Sequence, residues 1–171
     1  MSLQVALLRG VNVGGRKLVM SELRARMESA GFTDVRTLLA SGNLVLRTDL
    51  KAHWLEKKLE QIIAAGFALK TDVFVRTGKQ VEEVVAANRF KDYAKNAPNC
   101  LVVHFMRAPP TEDEIHDMET SCADETIHHG KNCLYITYPM GQGVSRLKLP
   151  KLGTARNWNT VLKLAAATQG E

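Results

Sequence analysis

The densest chemistry in the chain lies in Arg9-Gly10-Val11-Asn12-Val13-Gly14-Gly15-Arg16-Lys17. Glycines let backbone N–H groups converge on an anion, while Arg9, Arg16 and Lys17 supply charge. Gly10 and Gly15 enclose four residues, the separation of a phosphate-binding loop. A Walker loop continues Lys-Ser/Thr, the lysine for the outer phosphates and the hydroxyl for magnesium. Here Arg16-Lys17-Leu18 follows, which argues against an NTPase. The same glycines also suit a loop that only has to turn tightly. Two further segments offer polar groups at element ends. Ser41-Gly42-Asn43 carries a hydroxyl and an amide but lies in no Gly-x-Ser-x-Gly elbow, so a hairpin turn is its default reading. In Gly153-Thr154-Ala155-Arg156-Asn157-Trp158-Asn159-Thr160, Thr154 is expected to cap the last helix. Arg156, Asn157 and Asn159 then fall in its first turn, where free N–H groups favour an anion. Trp158 reads as a core anchor.

The expected ligand-binding set is thus Arg9, Gly10, Asn12, Gly14, Gly15, Lys17, Ser41, Asn43, Thr154, Arg156, Asn157 and Asn159. A small anionic or phosphorylated molecule is its expected ligand. Whether the protein is an enzyme stays open, because no nucleophile or base can be named. No cofactor is called for, and no metal: His128 and His129 are adjacent on a strand and point to opposite faces, and His53 and His116 lack a partner at i+4. His104, inside an apolar strand, reads as a hydrogen-bonded core residue. Cys100, Cys122 and Cys133 form no C-x-x-C pair and read as reduced thiols.

Charge is uneven along the chain, whose formal net charge is +5. Residues 112–125 carry seven acids (Glu112, Asp113, Glu114, Asp117, Glu119, Asp124, Glu125) and no Lys or Arg, whereas Thr126 to Gly170 carries six Lys or Arg and no acid. The basic stretch attracts anions. The acidic one suits a basic partner, which gives the alternative reading: a protein-interaction or structural module without a ligand, its partner unknown. Nucleic-acid binding is unlikely, since the strands lack the aromatic spacing of an RNA-recognition motif and aromatics are 6% of the chain. No run approaches the roughly 20 apolar residues of a membrane span, and the first residues show no basic leader. The expected setting is cytoplasmic, with no membrane contact.

The elements that position these residues follow from periodicity. Leu3–Leu8 is an apolar strand, Met20 to Ala30 a helix, and Val35–Leu39 and Leu44–Thr48 a hairpin. A helix capped by Asp49 carries Leu55, Leu59, Ile62 and Ile63, and Asp72–Arg76 is a fourth strand. This β-α-β-β-α-β order is that of the ferredoxin-like unit. The second half reads as a connecting helix at Val81–Val85, a polar loop over 88–99, a strand at Cys100–Met106, and a helix opened by a Thr111/Glu114 capping box. Strands around Glu125–His129 and Cys133–Tyr138 follow, then the last helix. The expected fold class is α+β: two ferredoxin-like halves with antiparallel sheets, 1–77 and an imperfect copy over 78–171, packed as one compact unit.

Leu7-Leu8-Arg9-Gly10-Val11-Asn12-Val13-Gly14-Gly15, Met20-x-x-Leu23, Gly31-Phe32, Val35-Arg36-Thr37, Ser41-Gly42-Asn43 and Thr154-Ala155-Arg156-Asn157-Trp158-Asn159-Thr160-Val161 together resemble the domain-of-unknown-function family numbered 1697. The resemblance implies two ferredoxin-like halves, a mostly bacterial distribution and no assigned activity. It also exposes a departure. Where that family runs from a Ser-Lys-Leu-like segment through an extra helix into Arg-Asn-Trp, this chain passes from Ser145-Arg146-Leu147-Lys148 to Gly153 with little between.

Overall fold

A computed structural model describes residues 1–169. Two compact units divide the chain: Met1–Glu82 joined by the residues from Leu164 on, and Glu83–Lys163.

The first unit runs β1 (Ser2–Leu8), α1 (Met20–Ser29), β2 (Thr33–Leu38), β3 (Asn43–Thr48), α2 (Ala52–Phe67), β4 (Val73–Thr77) and into α3 (Gly78–Ala86). Its strands form an antiparallel sheet in the order β2-β3-β1-β4, the ferredoxin-like arrangement that the sequence predicts. Alternation sorts the strand residues by face. Ala6, Leu8, Leu44, Leu46, Val73 and Val75 face the helices and meet Leu23 and Met27 of α1 and Leu55, Leu59 and Ile63 of α2. Each of the Leu, Val, Ile and Met side chains among them contributes about 1.5–3 kcal/mol by leaving water. α2 also protects the edge strand: Glu56 and Glu60 accept hydrogen bonds from the backbone N–H groups of Val75 (3.0 Å) and Val73 (2.9 Å). Asp49 does not cap α2. The flanking residue is Lys51, and the Asp49 carboxylate instead pairs with the N-terminal amine at 2.7 Å.

The second unit takes the end of α3, then α4 (Lys91–Asn96), β5 (Leu101–Met106), α5 (Glu112–Ser121), β6 (Thr126–Gly130), β7 (Cys133–Thr137), β8 (Gly153–Asn157) and the start of α6 (Trp158–Thr168). Its strand order, β6-β7-β5-β8, repeats that of the first unit. Two expectations are corrected here. The polar 88–99 segment contains α4 and leads into a single 3-10 turn, Pro98–Cys100. Gly153–Asn157 is a strand and not the first turn of a helix. The cause is β5, apolar on both faces with a second edge to fill; β8 pairs along it with Val103 opposite Arg156. The same register holds in the first unit, where Val5 lies opposite Arg76. In both units the fourth strand passes directly into a helix, β4 into α3 and β8 into α6.

The units differ in their second crossover. β3 and β4 are joined by the sixteen-residue α2, whereas residues 138–152 between β7 and β8 hold only one 3-10 turn, Gln142–Val144. Leu147 and Leu149 from this strap pack, partly buried, against Val102, Met106, Met118, Leu134 and Ile136. His104 is the core residue that its apolar strand implies: Nε2 lies 3.0 Å from the carbonyl of Pro150. Gly153 sits under that ring, where an added Cβ would come within 2.2 Å of Nε2.

Candidate anion site

The Arg9–Val19 connection leaves the end of β1 and is shaped largely by Asn12. This residue takes φ +55°, a conformation that asparagine tolerates better than most. Its side-chain Oδ1 accepts from Leu18 N at 2.8 Å, and its Nδ2 donates to Leu18 O at 3.1 Å and to Ala40 O. The loop is therefore closed on itself and tied to the β2–β3 turn. Within it Val13 and Arg16 pair as a miniature hairpin, with Arg16 N donating to Val13 O at 3.1 Å. Gly14 and Gly15 are the two central residues, at φ +56° and +82°, as a type I′ turn requires. The glycines thus have a turn to make, and that turn holds Arg16 and Lys17 exposed beside it.

The β2–β3 turn meets this loop closely. Leu8 N donates to Gly42 O at 2.9 Å, and a Cβ on Gly42 would fall 2.3 Å from Val11 Cγ2, so only glycine fits. Asn43 is buried, its Nδ2 donating to Leu38 O (2.8 Å) and Ser41 Oγ (2.9 Å). Ser41 and Asn43 are thereby turn-formers, consistent with the hairpin reading.

Register brings a third segment to the same end. Because Leu8 pairs with Val73, the residues before β4 must meet those after β1. Arg9 pairs with Asp72 at 3.2 Å, both side chains half exposed, and the Arg16 guanidinium donates to the carbonyl of Lys70. Lys70 and Asp72 join the candidate site; motif reading missed them, although the antiparallel pairing of β1 with β4 implies them. The result is a sheet end that carries the exposed Arg16, Lys17 and Lys70 and the half-exposed Arg9, with two acids beside them, Asp72 on Arg9 and Glu60 on Val73 N.

The remaining expected site residues belong to the other unit. Thr154 and Arg156 stand on β8, where Arg156 Nη1 donates to Thr154 Oγ1 at 2.7 Å and to Ala155 O at 2.8 Å. Arg156 is 6% exposed, and burial lowers its pKa to about 10. Thr154 does not cap α6. Asn157 does, its Oδ1 accepting from Thr160 N at 3.0 Å and Thr160 Oγ1 at 3.1 Å. Asn159 Nδ2 donates to Asn99 Oδ1 at 2.9 Å. Trp158 is buried, as its reading as a core anchor requires.

The family model described as "Protein of unknown function (DUF1697)" matches residues 1–135, which takes in the Met1–Glu82 part of the first unit and the second unit as far as Tyr135 on β7. The chain belongs to this family. The match stops just before the strap without a helix, so the Thr154–Val161 motif lies outside it. Among solved structures, a conserved bacterial protein from Streptococcus pneumoniae is similar, with a TM-score of 0.79 and 22% identity over 98% of this chain and 99% of that one. That likeness supports the α+β architecture of two antiparallel four-stranded sheets. No curated protein gives a significant match. Among the described residues no helix is long and apolar enough to cross a membrane.

Proposed function

We propose that the first unit binds a small anionic or phosphorylated ligand at the end of its sheet, between the Gly14–Gly15 turn, the Ser41 turn and Lys70. The observation that carries this reading is a loop pre-shaped by Asn12 that holds Arg16 and Lys17 exposed and is joined to the Lys70–Asp72 segment by Arg16 on the Lys70 carbonyl and Arg9 on Asp72. A preformed loop spends little ordering entropy on its ligand. The start of α1 adds to this, since Val19 offers no side-chain cap to its first N–H groups. The setting proposed for this activity is the cytoplasm. Thermal-shift measurements with inorganic phosphate, nucleotides and sugar phosphates test the reading. At about a hundred times its dissociation constant a true ligand stabilises by about 2.7 kcal/mol. The Arg16→Gln/Lys17→Gln variant is expected to lose that shift while keeping its unliganded Tm. No shift with any member of the panel contradicts the reading.

One observation favours a second reading, docking of a protein partner on the same loops. Val13, Val19 and Leu39 are 59%, 52% and 46% exposed there, and Leu39 takes φ +59°, an unusual conformation for a bulky residue. A partner that binds through these residues is lost on Val13→Asp/Leu39→Asp and is indifferent to phosphate.

A further inference from the structure

The strap that replaces a crossover helix leaves a hollow of about 400 Å³ in the second unit. Small-molecule sites are commonly of this size. Side-chain bonds hold the strap in place: Lys148 N donates to Ser121 Oγ at 2.8 Å, and Leu147 N to Ser145 Oγ at 3.1 Å. Ser145 in turn donates its hydroxyl proton to Glu125 Oε1, and Ala123 N donates to Oε2 of the same carboxylate at 2.8 Å. Glu125 is 8% exposed, yet those two bonds hold its pKa below the ordinary carboxylate value, so it is anionic at neutral pH. The buried Tyr138 forms part of the wall. Burial, reinforced by Glu125, pushes its phenol up to about 12, so the O–H remains a donor.

The other lining groups are of two kinds. Arg146, next in the chain to Ser145, is exposed and enters no ion pair among the described residues. Met140 and Val144 are apolar side chains left 73% and 71% exposed. One hollow thus offers a fixed carboxylate, a guanidinium one residue beyond its anchor, a phenol donor and an aliphatic wall.

We propose that this hollow binds a zwitterion, an α-amino acid with an aliphatic side chain. Glu125, with Asp124 beside it, takes the ammonium, Arg146 takes the carboxylate, and Met140 and Val144 cover the side chain. Selectivity comes from requiring both charges: a carboxylic acid alone meets Glu125, and an amine alone leaves Arg146 unused.

Calorimetric titration of the full chain with L-leucine, leucinamide and N-acetyl-leucine tests the proposal. Leucine is expected to bind saturably, and the two blocked forms about tenfold or more weaker. Arg146→Met and Glu125→Gln are each expected to weaken leucine by about tenfold. Because Glu125 also anchors the strap, the exposed Arg146 carries the test if Glu125→Gln fails to fold. The proposal is overturned if leucine, valine and methionine all fail to bind, if leucinamide binds as tightly as leucine, or if Arg146→Met binds leucine unchanged.

Discussion

The connection that follows the first strand is built in opposite ways in the two units. After β5, residues 107–111 are short and contain Pro109 and Pro110, and the chain enters α5 through a capping box. Thr111 Oγ1 accepts from Glu114 N at 3.2 Å, and Glu114 Oε2 accepts from Thr111 N at 2.9 Å. After β1 the connection takes eleven residues, Arg9 to Val19, with Gly10, Gly14 and Gly15 at positive φ, and enters α1 with no side-chain cap. The first design closes a helix end and follows it with acids; the second leaves a helix end without a side-chain cap, preceded by a loop that carries Arg9, Arg16 and Lys17 and followed by the single acid Glu22 in its first turn. A connection tuned for stability alone would resemble the one after β5, which is why the loop after β1 carries the functional proposal.

The largest expected effect concerns the second contrast, helix against strap. Leu59→Ala empties a fully buried site beneath α2 and is expected to cost about 3 kcal/mol. Leu149→Ala, partly buried under the strap, is expected to cost less than about 1 kcal/mol. Urea denaturation of both variants checks this, and equal losses break the contrast. Next comes the loop itself. Asn12→Ala removes three hydrogen bonds and leaves alanine at φ +55°, for about 2 kcal/mol. Thr111→Ala removes only the cap of α5, for about 1 kcal/mol. The same urea experiment ranks them; a costlier Thr111→Ala breaks the claim that Asn12 shapes the loop.

The smallest effect separates the two sheets by pH. His128 stacks on Tyr135 with ring centroids 5.7 Å apart, and its pKa is held below 6.5 by burial first, then by Arg89 and His129. The unfolded chain takes up that proton at about pH 6.5, before the folded chain does. Stability is therefore full above that pH and is lost as pH falls towards the folded pKa. The position that corresponds to His128 in the first sheet is Arg36, opposite Val45 as His128 is opposite Tyr135, so the first sheet has no imidazole there. His128→Asn is expected to flatten the wild-type loss of Tm between pH 7 and about 5.5. An unchanged slope removes His128 as its source.

Much of the architecture was legible from hydrophobic pattern. β1 and β5 are apolar on both faces, α2 carries its core residues at helical spacing, and the Thr111/Glu114 box is unambiguous because both of its bonds are local. β8 was hidden because Gly-Thr-Ala-Arg-Asn has no apolar alternation; its partner β5, some fifty residues earlier, decides its conformation. Long-range pairing likewise conceals Lys70 and Asp72, which reach the site only through the register of β1 with β4. Asn12 and the glycines were found as a motif, but their roles as clamp and type I′ turn depend on bonds to Leu18 and Ala40 that spacing does not reveal.

Titration of the isotopically labelled chain with inorganic phosphate at constant ionic strength, followed by amide resonances, tests the central claim most directly. Saturable shifts at Arg9 to Glu22, at the Ser41 turn and at Lys70 to Asp72, absent from Thr111 to Glu114 and abolished in Arg16→Gln/Lys17→Gln, are the expected result. Resonances that do not move, or that move equally at the starts of α1 and α5, contradict the account.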